Sequence, residues 1–477
     1  MKYFKYLLPL VIFLLALTLR LYHLPQRFSF TADEEYQATY ARTIVLDFHP
    51  VWIGVSAGDT GFYLGPYFTY LTALFLALGQ GDPLVTGYAA AAMGALTAVL
   101  LFYLAKVVGG TKLGFTAALF YAFSPLMVYF DQRYWNPSPI PLLLCLFMLA
   151  LLSLKAQKWW LVVIAFCLGA FWHVHLSLVP LTLLAVYLVW PLRNHFTHPI
   201  WFTSALVFIL LMLPLMIFDY HHAWSNLLTP LRLTSSGTHT LELPAHLAKL
   251  GQTLVRFLYL TPGLTNDAEL RDSCLAVSTT PSRLFVIFSF LPLVIFLFRR
   301  ETWHNPRLKR VALAIIILAL AFIFYPGPVA SYYALALIPL YFLVLAILLS
   351  RVRYLALLIF VLLSLNTLRL TDESYGLLAK RHLITQVMAI VQERPFALSQ
   401  EGDCHKYGGW RYLFLSYGRS PSTSSTDSSL GWLYPGEIGP SGQLEVLVGA
   451  TNEITHPTDS LAVLGSGGYT AVITYAK

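Results

Sequence analysis

Residues Thr31 to Tyr36 read Thr-Ala-Asp-Glu-Glu-Tyr, so Asp33, Glu34 and Glu35 stand together in a chain of 477 residues of which only 11% are charged. A carboxylate placed beside a hydroxyl can take its proton as the oxygen attacks an electrophile, and a carboxylate at a helix start can cap it. Thr31-Ala32-Asp33-Glu34 fits a capping box, with Thr31 as N-cap and Glu34 reaching back to its backbone N–H. That leaves Asp33 for chemistry. Tyr36, Tyr40 and Ile44 follow at four-residue spacing, the pattern of an amphipathic helix lying on a membrane surface. The alternative is that all three acids merely favour a helix N-terminus through its dipole.

The elements around this cluster are apolar. Leu7 to Leu24 is a nearly unbroken apolar run preceded by Lys2 and Lys5, which keeps the N-terminus cytoplasmic and puts Asp33 outside. It carries no small-residue cleavage site and reads as a retained span. A hydrophobic content of 57%, 15% aromatics and a mean hydropathy of +0.66 describe a polytopic membrane protein. The net charge of +8 falls mainly in short loops, where it sets topology, so nucleic acid is not an expected partner.

Basic clusters recur at alternate loops: Lys106 with Lys112, Lys155 with Lys158, Arg193, Arg299 to Arg310, and Arg351 with Arg353. They imply spans at 7–24, 83–106, 113–130, 138–154, 159–174, 176–192, 200–219, 283–298, 311–325, 332–350 and 354–370, about eleven in all, with the C-terminus outside. Counting Phe62 to Leu78 as a span would invert every later loop, so it is assigned to the outer interface, as is Pro244 to Leu260. Beyond Leu370 the chain turns polar: Ser374 to Gln392 looks helical, Ser420 to Ser429 reads as a loop, and Leu444 to Val448 and Thr470 to Tyr475 look like strands. The expected architecture is an all-α transmembrane domain over residues 1–370, with interfacial helices in a long first outer loop, and a small α/β extracytoplasmic domain over 371–477. Cys145 and Cys167 lie in apolar runs, whereas Cys274 and Cys404 lie in polar segments on one side of the membrane, either paired or as two thiols.

Other residues could serve a site at the outer surface. Asp131, Arg133 and Asn136 crowd the second outer loop; Asn136 can orient a substrate but cannot act as a base, and Asp131 with Arg133 is equally readable as a local ion pair. Tyr332 and Tyr333 could bind phosphate or belong to an aromatic belt. Arg42, Arg133, Arg256 and Arg283 are the outer-side cations. His173 and His175 stand at i and i+2, poor spacing for two metal ligands, so no metal site is expected, although either could line a cavity. No phosphate-cradling Gly-rich loop and no nucleophile elbow occurs.

Asp33-Glu34 with Tyr36 and Ala41-Arg42, Gly65-Pro66-Tyr67 through Leu78-Gly79, Phe123-Ser124-Pro125 to Trp135-Asn136-Pro137, and Tyr332-Tyr333 to Ile338-Pro339 occur in order along residues 7 to 350. This ordered set resembles the C-type membrane glycosyltransferases, especially the protein O-mannosyltransferases and lipid A aminoarabinose transferases. The resemblance implies transfer of a sugar from a polyprenyl-phosphate donor to an extracytoplasmic lipid, glycan or protein acceptor, with inversion. Asp33 and Glu34 would be catalytic, and Asp131, Arg133, Asn136, Tyr67, His175, Tyr332 and Tyr333 would contact substrate. It implies no cofactor, leaving a divalent cation open, and a multi-pass protein of the plasma (inner) membrane. Two departures are Asn136 where relatives often have Asp, and Leu64-Gly65 where the aminoarabinose transferases place a Lys before the Pro. The competing reading is a secondary transporter or flippase for a lipid or saccharide, against which stand the lack of an internal repeat and of a mid-span acid.

Overall fold

The computed structural model describes residues 4–56, 61–235, 243–258, 283–325, 329–402, 408–426, 434, 442–455 and 457–476. The question whether Cys274 and Cys404 pair lies outside the described residues.

The chain is mostly helical, and the helices follow the apolar runs. The first part comprises α1 (Phe4–Leu21), a single turn α2 (Leu24–Arg27), α3 (Ala32–Asp47) carrying the acidic cluster, and α4 (Tyr67–Leu78). Next come α5 (Leu84–Gly109), α6 (Thr111–Phe123), α7 (Pro125–Asp131), α8 (Ile140–Ser153), α9 (Trp160–Val174), α10 (Leu181–Val189), α11 (His198–His221), α12 (Ser225–Ser235) and α13 (Leu243–Leu258). α14 (Arg283–Phe298), α15 (Arg300–His304), α16 (Pro306–Ile323), α17 (Ile338–Leu348) and α18 (Arg353–Arg369) complete the helical body.

Proline accounts for the main departures from uninterrupted spans. The run expected at 113–130 is bent by 68° between α6 and α7. Pro125 forces Ser124 out of helical geometry, and Ser124 restarts the helix as the N-cap of α7. The run 176–192 is a 3₁₀ turn (Leu176–Leu178), α10, and a second 3₁₀ turn (Trp190–His195), while 332–350 begins as the 3₁₀ turn Ser331–Ala336 before α17. By length and hydropathy α5, the segment Leu176–His195 and α11 can each cross a membrane unaided, and bent α6 and α7 together make a fourth. The other apolar helices are shorter, so the expected count of eleven spans rests on loop charges alone.

α5 is the hub. Its buried face is built of Gly87, Ala90, Ala91, Gly94, Ala95 and Ala98, which lets α1, α6 and α8 pack against it closely. At its centre sits a buried ion pair. Arg20 of α1 bonds Asp131 at the end of α7, with Nε and Nη2 lying 2.8 and 2.7 Å from Oδ2. Tyr121 donates to the other oxygen of Asp131 at 3.2 Å, and Arg20 Nη1 caps the carbonyls of Ala16 and Ala122. Gly94 faces this pair, and a Cβ there would fall 2.4 Å from the Asp131 carboxyl carbon.

Beyond α18 the chain forms α19 (Leu377–Val391), β1 (Phe396–Gln400), α20 (Trp410–Tyr417), β2 (Thr423–Ser424), β3 (Leu444–Ala450), β4 (Ala462–Ser466) and β5 (Tyr469–Tyr475). The sheet runs β2-β1-β3-β5-β4, with β1 parallel to β2 and β3, and with β5 antiparallel to β3 and β4. Part of the segment expected as a loop, Ser420 to Ser429, therefore supplies an edge strand. α19 covers the sheet, and α20 packs between α19 and α3. The apolar core here is continuous with the first loop: Leu24, Phe28, Phe30, Ala38 and Ala41 pack with Leu383, Val387, Trp410, Val446 and Tyr469. Gly376 sits at this seam, where a Cβ would lie 1.9 Å from the carbonyl oxygen of Gln26.

The buried pair yields a stability prediction. Arg20→Met strands the Asp131 charge and is expected to cost roughly 3–5 kcal/mol, whereas Arg20→Met combined with Asp131→Leu removes both charges and costs far less. Thermal unfolding of the purified membrane protein checks this; equal loss in the single and double variants contradicts it.

Candidate active site

The acidic triplet opens α3, and successive side chains on a helix point about 100° apart, so three adjacent carboxylates meet three different environments. Glu34 turns back on the helix start. The predicted capping box is formed, with the Thr31 N–H and hydroxyl donating to Glu34 Oε2 at 2.9 and 2.6 Å. Glu34 also carries a second duty that the local sequence does not show. Arg133, from the loop after α7, donates through Nε to Glu34 Oε1 at 2.5 Å, and both side chains are buried. Arg133 Nη2 adds bonds of 3.1 Å to the Thr31 hydroxyl and 3.3 Å to Asp33 Oδ2, and its guanidinium stacks 3.8 Å from the Trp135 ring centre.

Glu35 turns to the C-terminal unit. Fully buried, it accepts the Tyr412 N–H at 3.0 Å and the Tyr434 hydroxyl at 2.6 Å. The entry to α3 is held from the same side: Lys380 Nζ donates to the Phe30 carbonyl at 2.9 Å, and the Leu377 N–H donates to the Phe28 carbonyl, also at 2.9 Å.

Asp33 is the carboxylate left for the cavity. Its side chain is 36% exposed and lines a pocket of about 590 Å³ between α3, the 135–137 loop, the 175–177 turn, α13, α16 and the Ser331–Ala336 turn. One wall is aromatic. Trp135 meets Tyr332 edge-on at 4.7 Å, Tyr332 meets Tyr333 at 4.8 Å, and His175 lies 5.6 and 5.2 Å from the two tyrosines. The lining also includes the apolar side chains of Leu250, Leu318, Ala321 and Phe322 from α13 and α16. Among the described lining residues there is no Lys or Arg.

His175 lies in the extended break between α9 and the following 3₁₀ turn, and burial pushes its pKa down to about 4. The Ser177 N–H donates to its Nδ1 at 3.2 Å, so the neutral ring carries its proton on Nε2 and is a hydrogen-bond donor. Burial likewise pushes the Tyr36 hydroxyl well above the usual phenol range, which keeps it a neutral donor.

Of the residues singled out from the sequence, Asp33, Asn136, His175, Tyr332 and Tyr333 share the cavity. Arg133 lies behind Asp33, committed to Glu34. Asp131 does not pair with Arg133: it ends α7 facing the helical body and bonds Arg20 there, while Arg133 lies past the helix end and turns to α3. Nor is it among the cavity's lining residues. Tyr67 also stands apart, its hydroxyl donating to the Leu210 carbonyl of α11 at 2.9 Å. Its neighbour Gly65 packs on the His173 ring, where a Cβ would fall 1.9 Å from Nδ1. Tyr36, Trp135, Ser177 and Tyr325 line the cavity without having been singled out for it. Trp135 and Tyr36 adjoin the quoted motifs; Ser177 and Tyr325 carry no local signal. Among the described residues no group of three His, Cys, Asp or Glu converges as a metal site.

The geometry separates two adjacent acids by stability. Glu34→Ala leaves the buried Arg133 guanidinium without its principal partner and is expected to cost about 3–5 kcal/mol, whereas Asp33→Asn, partly exposed and 3.3 Å from that cation, should cost under about 1 kcal/mol. Unfolding midpoints of the two variants decide it; comparable losses contradict the division.

Comparison with known proteins agrees with this architecture. Residues 64–218 match the family model described as dolichyl-phosphate-mannose-protein mannosyltransferase. No curated protein matches the sequence. Among solved structures, ArnT from Cupriavidus metallidurans bound to undecaprenyl phosphate is similar with a TM-score of 0.57 at 14% identity, covering 98% of each chain. Its apo form gives 0.56 at 15% identity, covering 97% of each. The Archaeoglobus fulgidus oligosaccharyltransferase in complex with Zn and sulfate gives 0.48 at 11% identity, covering 93% of this chain and 68% of that one. The chain thus matches the dolichyl-phosphate-mannose-protein mannosyltransferase family model over residues 64–218, within a fold similar to that of ArnT.

Proposed function

We propose that the protein is an inverting membrane glycosyltransferase that moves a sugar from a polyprenyl-phosphate donor to a hydroxyl acceptor at the extracytoplasmic face, with Asp33 as general base. The observation that carries this reading is the placement of Asp33 alone among the three acids in a cavity lined by aromatic and aliphatic side chains. Aromatic faces suit the C–H surface of a sugar ring, and the aliphatic lining suits the first isoprene units of a lipid carrier. The undecaprenyl phosphate bound to ArnT supports the donor class.

In the reaction the acceptor oxygen attacks the anomeric carbon as Asp33 takes its proton, and the bond from that carbon to the phosphate oxygen breaks. The phosphate leaves with the bonding electrons as an anion and needs no proton. Its added charge calls for oriented donors. The neutral His175 N–H and the Tyr332 and Tyr333 hydroxyls stand on the cavity wall for this role. α13, which reaches the cavity through Leu250, carries Lys249 and Arg256 seven residues apart on one face, both buried, as the cations of that region. Asn136 orients the acceptor. Arg133, neutralised by Glu34, fixes the geometry of Asp33 rather than binding phosphate.

Removing the base should lower transfer by about 10²–10⁴-fold. Purified Asp33→Asn, given a polyprenyl-phosphate sugar and a hydroxyl acceptor, is expected to release polyprenyl phosphate at that reduced rate with an unchanged melting midpoint. Turnover within tenfold of the parent protein contradicts the role.

Orientation is tested separately. In a Cys274→Ser/Cys404→Ser background, Asp459→Cys is expected to react with an impermeant thiol reagent on intact cells, and Lys112→Cys only after permeabilisation; both positions are exposed on the protein. The reverse pattern overturns the assignment of the C-terminal unit to the extracytoplasmic side.

A further inference from the structure

We infer that Glu35 is a positioning residue through which the C-terminal unit sets the rotation of α3, and with it the direction of Asp33. This inference rests on the reading of Asp33 as the base.

Residues two apart on a helix point roughly 200° apart, so Asp33 and Glu35 face opposite sides of the first turn. Rolling α3 about its axis would carry Asp33 out of the cavity, and α3 needs a stop on its far side. Tyr434 supplies one. Its hydroxyl has a single hydrogen, which goes to Glu35 Oε1 at 2.6 Å, so the Thr39 hydroxyl, 2.7 Å away, donates to the Tyr434 oxygen. Glu35 and Thr39 are four residues apart and share one face, so one phenol grips two successive turns of α3. The Tyr412 N–H, at the start of α20, completes the grip at 3.0 Å.

Each partner is itself held. Arg411 lies over the Tyr434 ring at 5.2 Å, and Arg411 Nη2 donates to the Ser424 carbonyl of β2 at 2.8 Å, so the grip is anchored in the sheet. At the other end, Lys380 of α19 reaches the Phe30 and Gly408 carbonyls with its ammonium 4.9 Å from the centre of the Trp410 ring. Gly409, with φ of +90°, packs where a Cβ would come within 2.9 Å of the Phe30 ring. A buried carboxylate on the face of α3 remote from the cavity thus bonds the C-terminal unit, and neither Tyr412 nor Tyr434 is among the described lining residues of the cavity. Its contribution to transfer is therefore orientation.

The test uses the full chain with a polyprenyl-phosphate sugar as donor and compares Glu35→Ala, Glu35→Gln and Tyr434→Phe with Asp33→Asn. Misplacing a reacting group by about 1 Å can cost 10²-fold. Glu35→Ala and Tyr434→Phe are expected to lower kcat by at least about tenfold while leaving the donor KM within about twofold. Glu35→Gln, which keeps the acceptor oxygen, is expected to restore kcat to within about threefold. Parent-like kcat in both Glu35→Ala and Tyr434→Phe, with Asp33→Asn inactive, overturns the inference while leaving the base intact. A proportional loss in Glu35→Gln also overturns it, because the acceptor oxygen would then not be what matters. If Glu35→Ala does not fold, Tyr434→Phe, which removes one oxygen, carries the same comparison. If Asp33→Asn stays active, the catalytic reading fails, and amide hydrogen exchange over residues 32–47 decides positioning alone: faster exchange there than in α8 in Tyr434→Phe supports the grip, and unchanged exchange removes it.

Discussion

The buried bond between Glu34 and Arg133 is the contact on which the site depends. A guanidinium withdrawn from water must be matched by a carboxylate at close range, and Glu34 at 2.5 Å is that match. Because Glu34 also closes the capping box, the ion pair fixes the first turn of α3 against the loop after α7. That loop carries Trp135 and Asn136 into the cavity, so the pair brings the acid and the aromatic wall to one place. With Arg133 stacked on Trp135, its orientation is set on both sides.

From this fixed turn the other two acids take their surroundings by helix geometry. Asp33 goes to the cavity and Glu35 to the C-terminal unit, and the same backbone positions all three. The helical body supports the arrangement from below through the Arg20 and Asp131 pair, which joins α1, leading into the first loop, to α7, leading into the Arg133 loop. Gln132 adds to this joint, donating to the carbonyls of Arg20 and Tyr22. Two buried ion pairs, Arg20 with Asp131 and Arg133 with Glu34, therefore flank the single residue Gln132. The cavity gains its chemistry from what they leave over: one part-exposed carboxylate among described lining residues that are otherwise uncharged.

Much of this was legible in the sequence because it is local. The apolar runs gave helices at nearly the expected bounds, Thr31 and Glu34 announced the cap by their spacing, and Leu444 to Val448 and Thr470 to Tyr475 lie in strands. What the sequence hid is long-range. Arg20 and Asp131 are 111 residues apart, and Glu35 and Tyr434 are 399 apart, and no periodicity links such positions. The reading of Asp131 with Arg133 as a local ion pair followed sequence proximity, whereas the end of α7 sends the two side chains opposite ways. The core shared between the first loop and the C-terminal unit was hidden for the same reason, since each half shows an ordinary amphipathic pattern.

A structure of the protein with a non-transferable polyprenyl-phosphate sugar analogue tests the central claim most directly. The account predicts the sugar against the wall formed by Trp135, Tyr332 and Tyr333, the isoprene chain leaving past Leu318 and Phe322, and an Asp33 oxygen within about 3 to 6 Å of the anomeric carbon, the reach needed to deprotonate an oxygen attacking there. A sugar bound outside this cavity, or Asp33 turned away from the anomeric carbon while another carboxylate faces it, would contradict it.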